Sequence, residues 1–217
     1  KRMAMVRIKM NSELEKIDSF LQAEGFKYES YMAMSMDVTG NPLVTNTTVE
    51  AYCFDKISNS FYPQGNYHSA DSLLLKENLY FIEFKSVDKK IKGLLTSGSQ
   101  RKKFAELEFS GLKKDLCLKL SESYITLKNN LEDPLGVIAT YKYYFIIVVD
   151  YVSAPVTASI GVLAALSAGS SLLNQKQQGF DVSFNKYRKA VNGDSAIYDD
   201  VMIWNNINFS AKISALV

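Results

Sequence analysis

The sequence predicts a mixed β-sheet flanked by helices, in the α/β (α+β) class. Three features favour this fold: an amphipathic helix near the start, an apolar β-hairpin followed by a long amphipathic helix, and a continuous apolar strand after that helix. This order is typical of a sheet that helices cover. The chain has 217 residues, 47% hydrophobic and 22% charged, which is enough to bury a substantial core. We therefore expect one domain over residues 1–217.

The first predicted element is a helix over residues 10–24. Apolar residues recur there at helical spacing, at Met10, Leu14, Ile17 and Leu21. Asn11 or Ser12 can cap its start, and Gly25 follows its end. Residues 29–57 hold two β-prone pieces, which a Gly-Asn-Pro turn separates.

The middle of the chain predicts two strands, at 70–75 and 79–86, and then a helix over 112–131 that Pro134 ends. The run 142–151, KYYFIIVVDY, is typical of a strand covered on both faces. An apolar helix is expected over about 157–173, and a last strand over 200–209. These two elements form a C-terminal helix and strand extension, 152–217, to which the sequence assigns no role.

Composition excludes some kinds of site. Net charge is only +2, so the chain as a whole is not strongly basic. The single histidine, His68, excludes a multi-histidine metal site, and Cys53 and Cys117 are expected to be free thiols in the core. The first ten residues lack the apolar core of a signal peptide, so we expect a cytoplasmic protein. Residues 156–173 leave a membrane span open as a minority alternative.

The hairpin raises the main functional question, because charged residues interrupt its apolar faces. Side chains alternate along a strand, so Glu83 and Lys85 share a face with Leu79 and Phe81. A three-residue loop, Lys-Glu-Asn at 76–78, places Asp71 opposite Glu83 with Cβ atoms roughly 5 Å apart. Like charges that oppose each other destabilise a sheet, and a divalent cation between them would offset the repulsion.

These residues resemble the bipartite signature of the PD-(D/E)xK nuclease superfamily. The matching residues are Ala-Asp at 70–71 and Ile-Glu-Phe-Lys-Ser at 82–86, and the resemblance covers roughly residues 10–151. It implies a restriction-endonuclease-like fold, whose usual order is helix, three antiparallel strands, helix, strand. Ala70 stands where the signature usually has proline.

The resemblance implies a Mg²⁺- or Mn²⁺-dependent hydrolase of phosphodiester bonds and favours DNA over RNA as the substrate. Asp71 and Glu83, with the backbone carbonyl of Phe84, would bind the metal. Lys85 would activate the attacking water and stabilise the charge that develops on the phosphate. Glu13 and His68 are accessory candidates. A homodimer stays open, since many members pair to cut both strands.

The segment 85–103 is rich in Lys and Arg and could guide a polyanion, although a solvated loop explains it equally well. The candidate nucleic-acid contacts there are Lys89, Lys90, Lys92, Arg101, Lys102 and Lys103. On the helix over 112–131, a solvated face is the expected setting of Lys113, Lys114 and Lys119, with contact to a backbone phosphate as the alternative. Two alternatives to the nuclease stay open: a cross-strand ion pair on a solvent-facing strand, and an inactive nuclease-like fold that binds nucleic acid or protein.

Overall fold

The computed structural model describes residues 10–37, 40–45, 47–65, 67–86, 99–150 and 197–216. At residues 99–110, 112–113, 203 and 205 it describes the backbone alone. The predicted helix over 157–173 lies outside the described residues. Within them, no helix is both long and apolar enough to cross a membrane.

Helix α1, Ser12–Ala23, confirms the first predicted element. The Asn11 side chain caps it by accepting a hydrogen bond from the Glu13 N–H at 2.9 Å. Gly25, with φ of +87°, follows its end in a conformation that favours glycine. The buried residues of α1 are Leu14, Ile17 and Leu21, as the spacing predicts.

Six strands form one sheet within the described residues, in the order β1 to β6. The first four run antiparallel to their neighbours, whereas β4, β5 and β6 are parallel. Strand β4 therefore has an antiparallel neighbour on one side and a parallel one on the other. The strands are β1 Tyr28–Ser30, β2 Glu50–Cys53, β3 Ser72–Leu75, β4 Leu79–Lys85, β5 Tyr143–Val149 and β6 Asp200–Asn205.

The hairpin between β3 and β4 has the predicted register. Leu75 pairs with Leu79 across the loop at 76–78, and Ser72 pairs with Ile82 at the far end of β3. Asp71 immediately precedes Ser72, so the same register carries it to the position opposite Glu83.

Strand β5 is buried on both faces, as its continuous apolar sequence predicts. Phe145 and Ile147 belong to the core on one face of the sheet, and Ile146 and Val148 to the core on the other. Helix α1 and helix α4, Ser99–Leu127, contribute to the first core. Helix α2, Tyr31–Met34, and helix α5, Asn206–Ser214, contribute to the second. The mixed sheet flanked by helices is thus confirmed.

Residues 29–57 differ from the two strands predicted there. Strand β1 has only three residues, because the Ser30 hydroxyl accepts a hydrogen bond from the Ala33 N–H and caps α2. Strand β2 ends at Cys53 and helix α3, Phe54–Phe61, follows it directly. The buried residues of α3 lie at helical spacing, at Phe54, Ile57 and Ser58.

Helix α4 begins well before the predicted start at residue 112. Its last turn continues as a π-helical turn, Lys128–Glu132, shortly before Pro134. At the other end of the chain, the predicted strand 200–209 stops at Asn205, and α5 takes up the remaining residues. Cys53 and Cys117 are free thiols, but they are half-buried rather than fully buried.

Candidate active site

The candidate site lies at the carboxyl end of β4, on the face of the sheet that α4 covers. In open α/β sheets, ligands bind outside the carboxyl ends of the strands. Asp71 is the residue immediately before β3, and its side chain belongs to the site. Its backbone carbonyl accepts a hydrogen bond from Phe54, and its Oδ2 accepts one from the Phe84 N–H at 2.6 Å. These two contacts fix the Asp71 carboxylate beside β4.

Asp71 and Glu83 reach one common point. The ammonium of Lys119, from α4, lies 3.4 Å from Asp71 Oδ1 and 2.9 Å from Glu83 Oε2. A single cationic group therefore bridges the two carboxylates, which approach it from neighbouring β-segments. The Glu83 side chain is 0% exposed and that of Asp71 is 19% exposed.

Lys85 lies on the other side of Glu83. Its Nζ is 2.8 Å from Glu83 Oε1 and 2.7 Å from Asp115 Oδ2. The contact with Glu83 Oε1 is an ion pair without the angles of a hydrogen bond, whereas the contact with Asp115 has them. Asp115 also contacts His68 Nδ1 at 3.3 Å. Lys85 is thus held between a buried carboxylate and one on α4.

The pKa values in the site follow from burial and from the crowding of charge. Burial raises the pKa of Glu83 to about 8, and the charge of Asp71 adds to the rise, although two ammonium groups oppose it. Burial likewise raises the pKa of Asp71. Burial acts against the charged form of Lys119, but Glu83 and Asp71 outweigh it and raise the Lys119 pKa. Lys119 and Lys85 thus oppose, without cancelling, the rise in pKa that burial causes in both acids.

The donor atoms that this site offers to a metal are carboxylate oxygens. Carboxylate oxygens suit Mg²⁺, which commonly takes one or two carboxylates from the protein and completes its shell with water and phosphate. Asp71 and Glu83 supply two such groups. Among the side chains that the structure describes, no three His, Cys, Asp or Glu residues are grouped to share a metal ion. The fit to Mg²⁺ therefore rests on these two carboxylates alone.

Two residues of the site, Asp115 and Lys119, were missed by the sequence prediction. Lys119 was expected on a solvated face, yet its side chain is 13% exposed. The two residues are four positions apart on α4, next to Leu116 and Leu120, which are buried in the core. A charged pair one helical turn apart, directly beside the apolar stripe, is the signal in the sequence that could have identified them.

The predicted accessory residues have different outcomes. His68 contacts Asp115 and is near the site. Glu13 is not, because Asn11 donates its N–H to the carbonyl of Lys76, in the hairpin loop at the opposite end of β4. Helix α1 therefore starts far from the site, and Glu13 instead binds Lys16 at 2.9 Å.

The predicted nucleic-acid contacts are described only in part. Lys89, Lys90 and Lys92 lie outside the described residues. Arg101, Lys102 and Lys103 lie in α4, where the structure describes the backbone alone.

A cleft of about 380 Å³ lies mainly on the opposite face of the sheet, where Phe84 packs against the second core. It is lined by Asp71 and Phe84, together with residues 34–37 and 41–43, Ser86 and Asp150. Of the clustered residues Asp71, Glu83, Lys85, Asp115 and Lys119, the cleft shares only Asp71.

The proline that the signature usually has before the aspartate would be incompatible with the contact seen here. Ala70 is fully buried, and its N–H donates a hydrogen bond to the Ser123 hydroxyl of α4 at 2.8 Å. Proline has no N–H and could not make this bond. The alanine thus ties the segment before β3 to α4.

Comparisons of the chain with protein-family models, with curated proteins and with solved structures find no significant match.

Proposed function

We propose that this protein is a metal-dependent nuclease that hydrolyses DNA phosphodiester bonds by a PD-(D/E)xK mechanism. One observation carries the proposal: Asp71 and Glu83, on adjacent β-segments, converge on a single cation position, and Lys85 lies beside it. The order of elements supports it in part: α1, the antiparallel strands β2 to β4, α4 and β5 follow the order of a restriction-endonuclease-like core, but β1 and α2 precede β2, and α3 separates β2 from β3.

The residues would divide the chemistry as follows. Asp71 and Glu83, with the Phe84 carbonyl, would hold Mg²⁺ or Mn²⁺. The metal would neutralise the phosphate and make a bound water nucleophilic near neutral pH. Asp115 would hold the Lys85 ammonium at the site, where it orients the water and stabilises the negative charge that develops on the phosphate. Because Glu83 is buried, its charge interactions are less screened than they would be in solvent.

Cleavage of plasmid DNA tests the proposal. The wild type should cleave DNA with Mg²⁺ or Mn²⁺ and not with excess EDTA. Asp71→Ala and Lys85→Ala should each lower the rate at least about a hundredfold, because each removes a charge on which the reaction depends. Lys114→Ala is the matched control, since Lys114 is an exposed residue of α4. Full activity in a folded Asp71→Ala variant would exclude the assignment.

A second candidate function is an inactive nuclease-like module that binds nucleic acid or protein. The observation that favours it is the charge balance: Lys85 and Lys119 already pair with Glu83, and Lys119 also pairs with Asp71. This alternative predicts DNA binding or partner binding that is unaffected by EDTA and by Asp71→Ala. The nuclease proposal predicts DNA cleavage that depends on the metal and on Asp71.

A further inference from the structure

Lys119 stands where the metal of the proposed nuclease would have to bind. Its Nζ is the group that bridges Asp71 Oδ1 and Glu83 Oε2, at 3.4 and 2.9 Å. Hard carboxylate oxygens that bind an ammonium are the same atoms that would bind a divalent cation. Two cations cannot share this point, because like charges a few ångströms apart repel strongly in a partly buried site.

We propose that Lys119 is a built-in competitor for the metal, which balances the two acids until a divalent cation displaces its ammonium. The inference rests on the proposed function only in taking Asp71 and Glu83 as the metal ligands. It adds to the site a residue of α4 that lies outside the signature and competes with the metal.

The backbone of Lys119 is held in place, so that a displacement would involve its side chain alone. Leu116 and Leu120 anchor this part of α4 in the core. The Leu120 carbonyl also accepts a hydrogen bond from the buried Tyr198 hydroxyl at 2.7 Å. The four-carbon stem of lysine is flexible and can move its ammonium without moving the helix.

Lys85 is not the group that would leave. It is held from two sides, by Glu83 Oε1 and by Asp115 Oδ2, and the second contact does not depend on the two proposed ligands. Lys119, in contrast, has as its ion-pair partners within the described residues only Asp71 and Glu83. Metal binding would therefore take both partners from Lys119 and leave Lys85 with Asp115.

Calorimetric titration with Mn²⁺ tests this role without measuring activity. Three full-length proteins are compared: the wild type, Lys119→Met, and Lys114→Met as the exposed control on the same helix. Lys119→Met should bind Mn²⁺ at least about tenfold more tightly than the wild type, because no ammonium competes. Lys114→Met should bind as the wild type does. Adding Asp71→Asn to Lys119→Met should abolish the gain, which locates it at this site.

Thermal unfolding provides a second readout in case Lys119→Met is poorly folded without metal. Removing the ammonium leaves two carboxylates facing each other, so Lys119→Met and Lys119→Gln should both melt below the wild type in EDTA. Mn²⁺ should raise their melting temperature more than it raises that of the wild type. Refolding of either variant by Mn²⁺ would also support the inference.

Two results overturn the inference, and they are distinguishable. If the wild type binds Mn²⁺ through Asp71 but Lys119→Met binds it equally or more weakly, Lys119 does not compete, and the proposed nuclease site stands. If neither the wild type nor either Lys119 variant shows binding that depends on Asp71, the metal site itself is wrong, and the inference fails with it.

Discussion

Glu83 is a fully buried carboxylate, and charged side chains surround it. Removing one partner of a buried ion pair costs about 3–5 kcal/mol, because it leaves an uncompensated charge in a poorly solvated place. Two lysines contact Glu83, and one of them also contacts Asp71. Such a cluster contributes little to stability compared with apolar packing, so its presence points to a function.

The titration of Glu83 should be visible in the stability of the metal-free protein. Its pKa rises from 4.5 to about 8 on folding, so the folded state holds a proton that the unfolded state releases at lower pH. Stability contributed by this proton is complete below about pH 4.5 and is lost as the pH rises through 8. Relative to Glu83→Gln, the wild type should therefore lose up to about 4 kcal/mol of unfolding free energy between pH 5 and pH 9.

Urea denaturation in EDTA at several pH values measures this difference. Glu83→Gln is expected to be less stable than the wild type near pH 5. That difference in unfolding free energy does not by itself report the Glu83 pKa; only its change with pH does. Parallel pH profiles for the two proteins would show that Glu83 has the same pKa in both states.

The opposition of Asp71 and Glu83 could be predicted from the sequence because it depends on local quantities. The three-residue loop fixes the pairing of β3 with β4, and the alternation of side chains then decides which residues share a face. The contacts of Asp115 and Lys119 could not be predicted, since they depend on how α4 lies across the sheet. That placement comes from packing of Leu116 and Leu120 in the core, which no local pattern specifies.

At the scale of elements, the end of α4 is held by a second buried carboxylate. Glu132, in the π-helical turn, is 0% exposed, and its Oε1 accepts hydrogen bonds from the hydroxyls of Tyr141 and Tyr143, both at 2.6 Å. Lys128 lies 3.2 Å from Oε2. The contacts tie the end of α4 to the start of β5. They thereby fix the helix that covers β4 and the strand that pairs with it.

Removing these hydroxyls should loosen that connection. Tyr141→Phe and Tyr143→Phe should each lower the unfolding free energy by about 1–3 kcal/mol, because each removes a hydrogen bond to a buried charge. The double variant should lose at least as much as the two single losses together, since Oε1 then has neither donor. Tyr144→Phe, whose ring stacks on Tyr80, is the control and should change little. Chemical denaturation of the wild type and the four variants measures the losses; unchanged stability of the double variant would contradict this role.

Some elements were predictable and others were not. The spacing in α1 and the apolar run of β5 are strong periodic signals over many residues. Helix α2, with four residues, and helix α5, with nine, are short, and both begin directly where a strand ends. Short elements rest on tertiary contacts, such as that of Tyr31 with Phe209, whose rings meet edge to face at 5.0 Å.

At the scale of the whole molecule, the site lies on β4, the strand that joins the antiparallel and parallel halves of the sheet. Strand β3 brings Asp71 from the antiparallel side, and β5 supports Glu83 from the parallel side, where Glu83 pairs with Ile147. Helix α4 crosses above and supplies Asp115 and Lys119. One site thus draws on elements from both halves of the sheet.

The last strand shows that residues 200–205 of the predicted C-terminal extension take part in the sheet. Strand β6 pairs with β5 along six residues, from Asp200 opposite Tyr144 to Asn205 opposite Val149. Helix α5 then buries Phe209 and Ile213 in the second core, on the face opposite α1 and α4. The end of the chain therefore helps to hold β5, and through it β4, in place.

The most direct test is a crystal of the full chain soaked in Mn²⁺ and examined by anomalous diffraction. We expect one strong peak bound by Asp71 and Glu83 at metal-ligand distances of about 2.0–2.3 Å, with the Lys119 ammonium moved away from both. The contrary result would be no peak between Asp71 and Glu83 at a Mn²⁺ concentration that supports binding, with the Lys119 ammonium still bridging the two carboxylates. That result would contradict the proposed metal site.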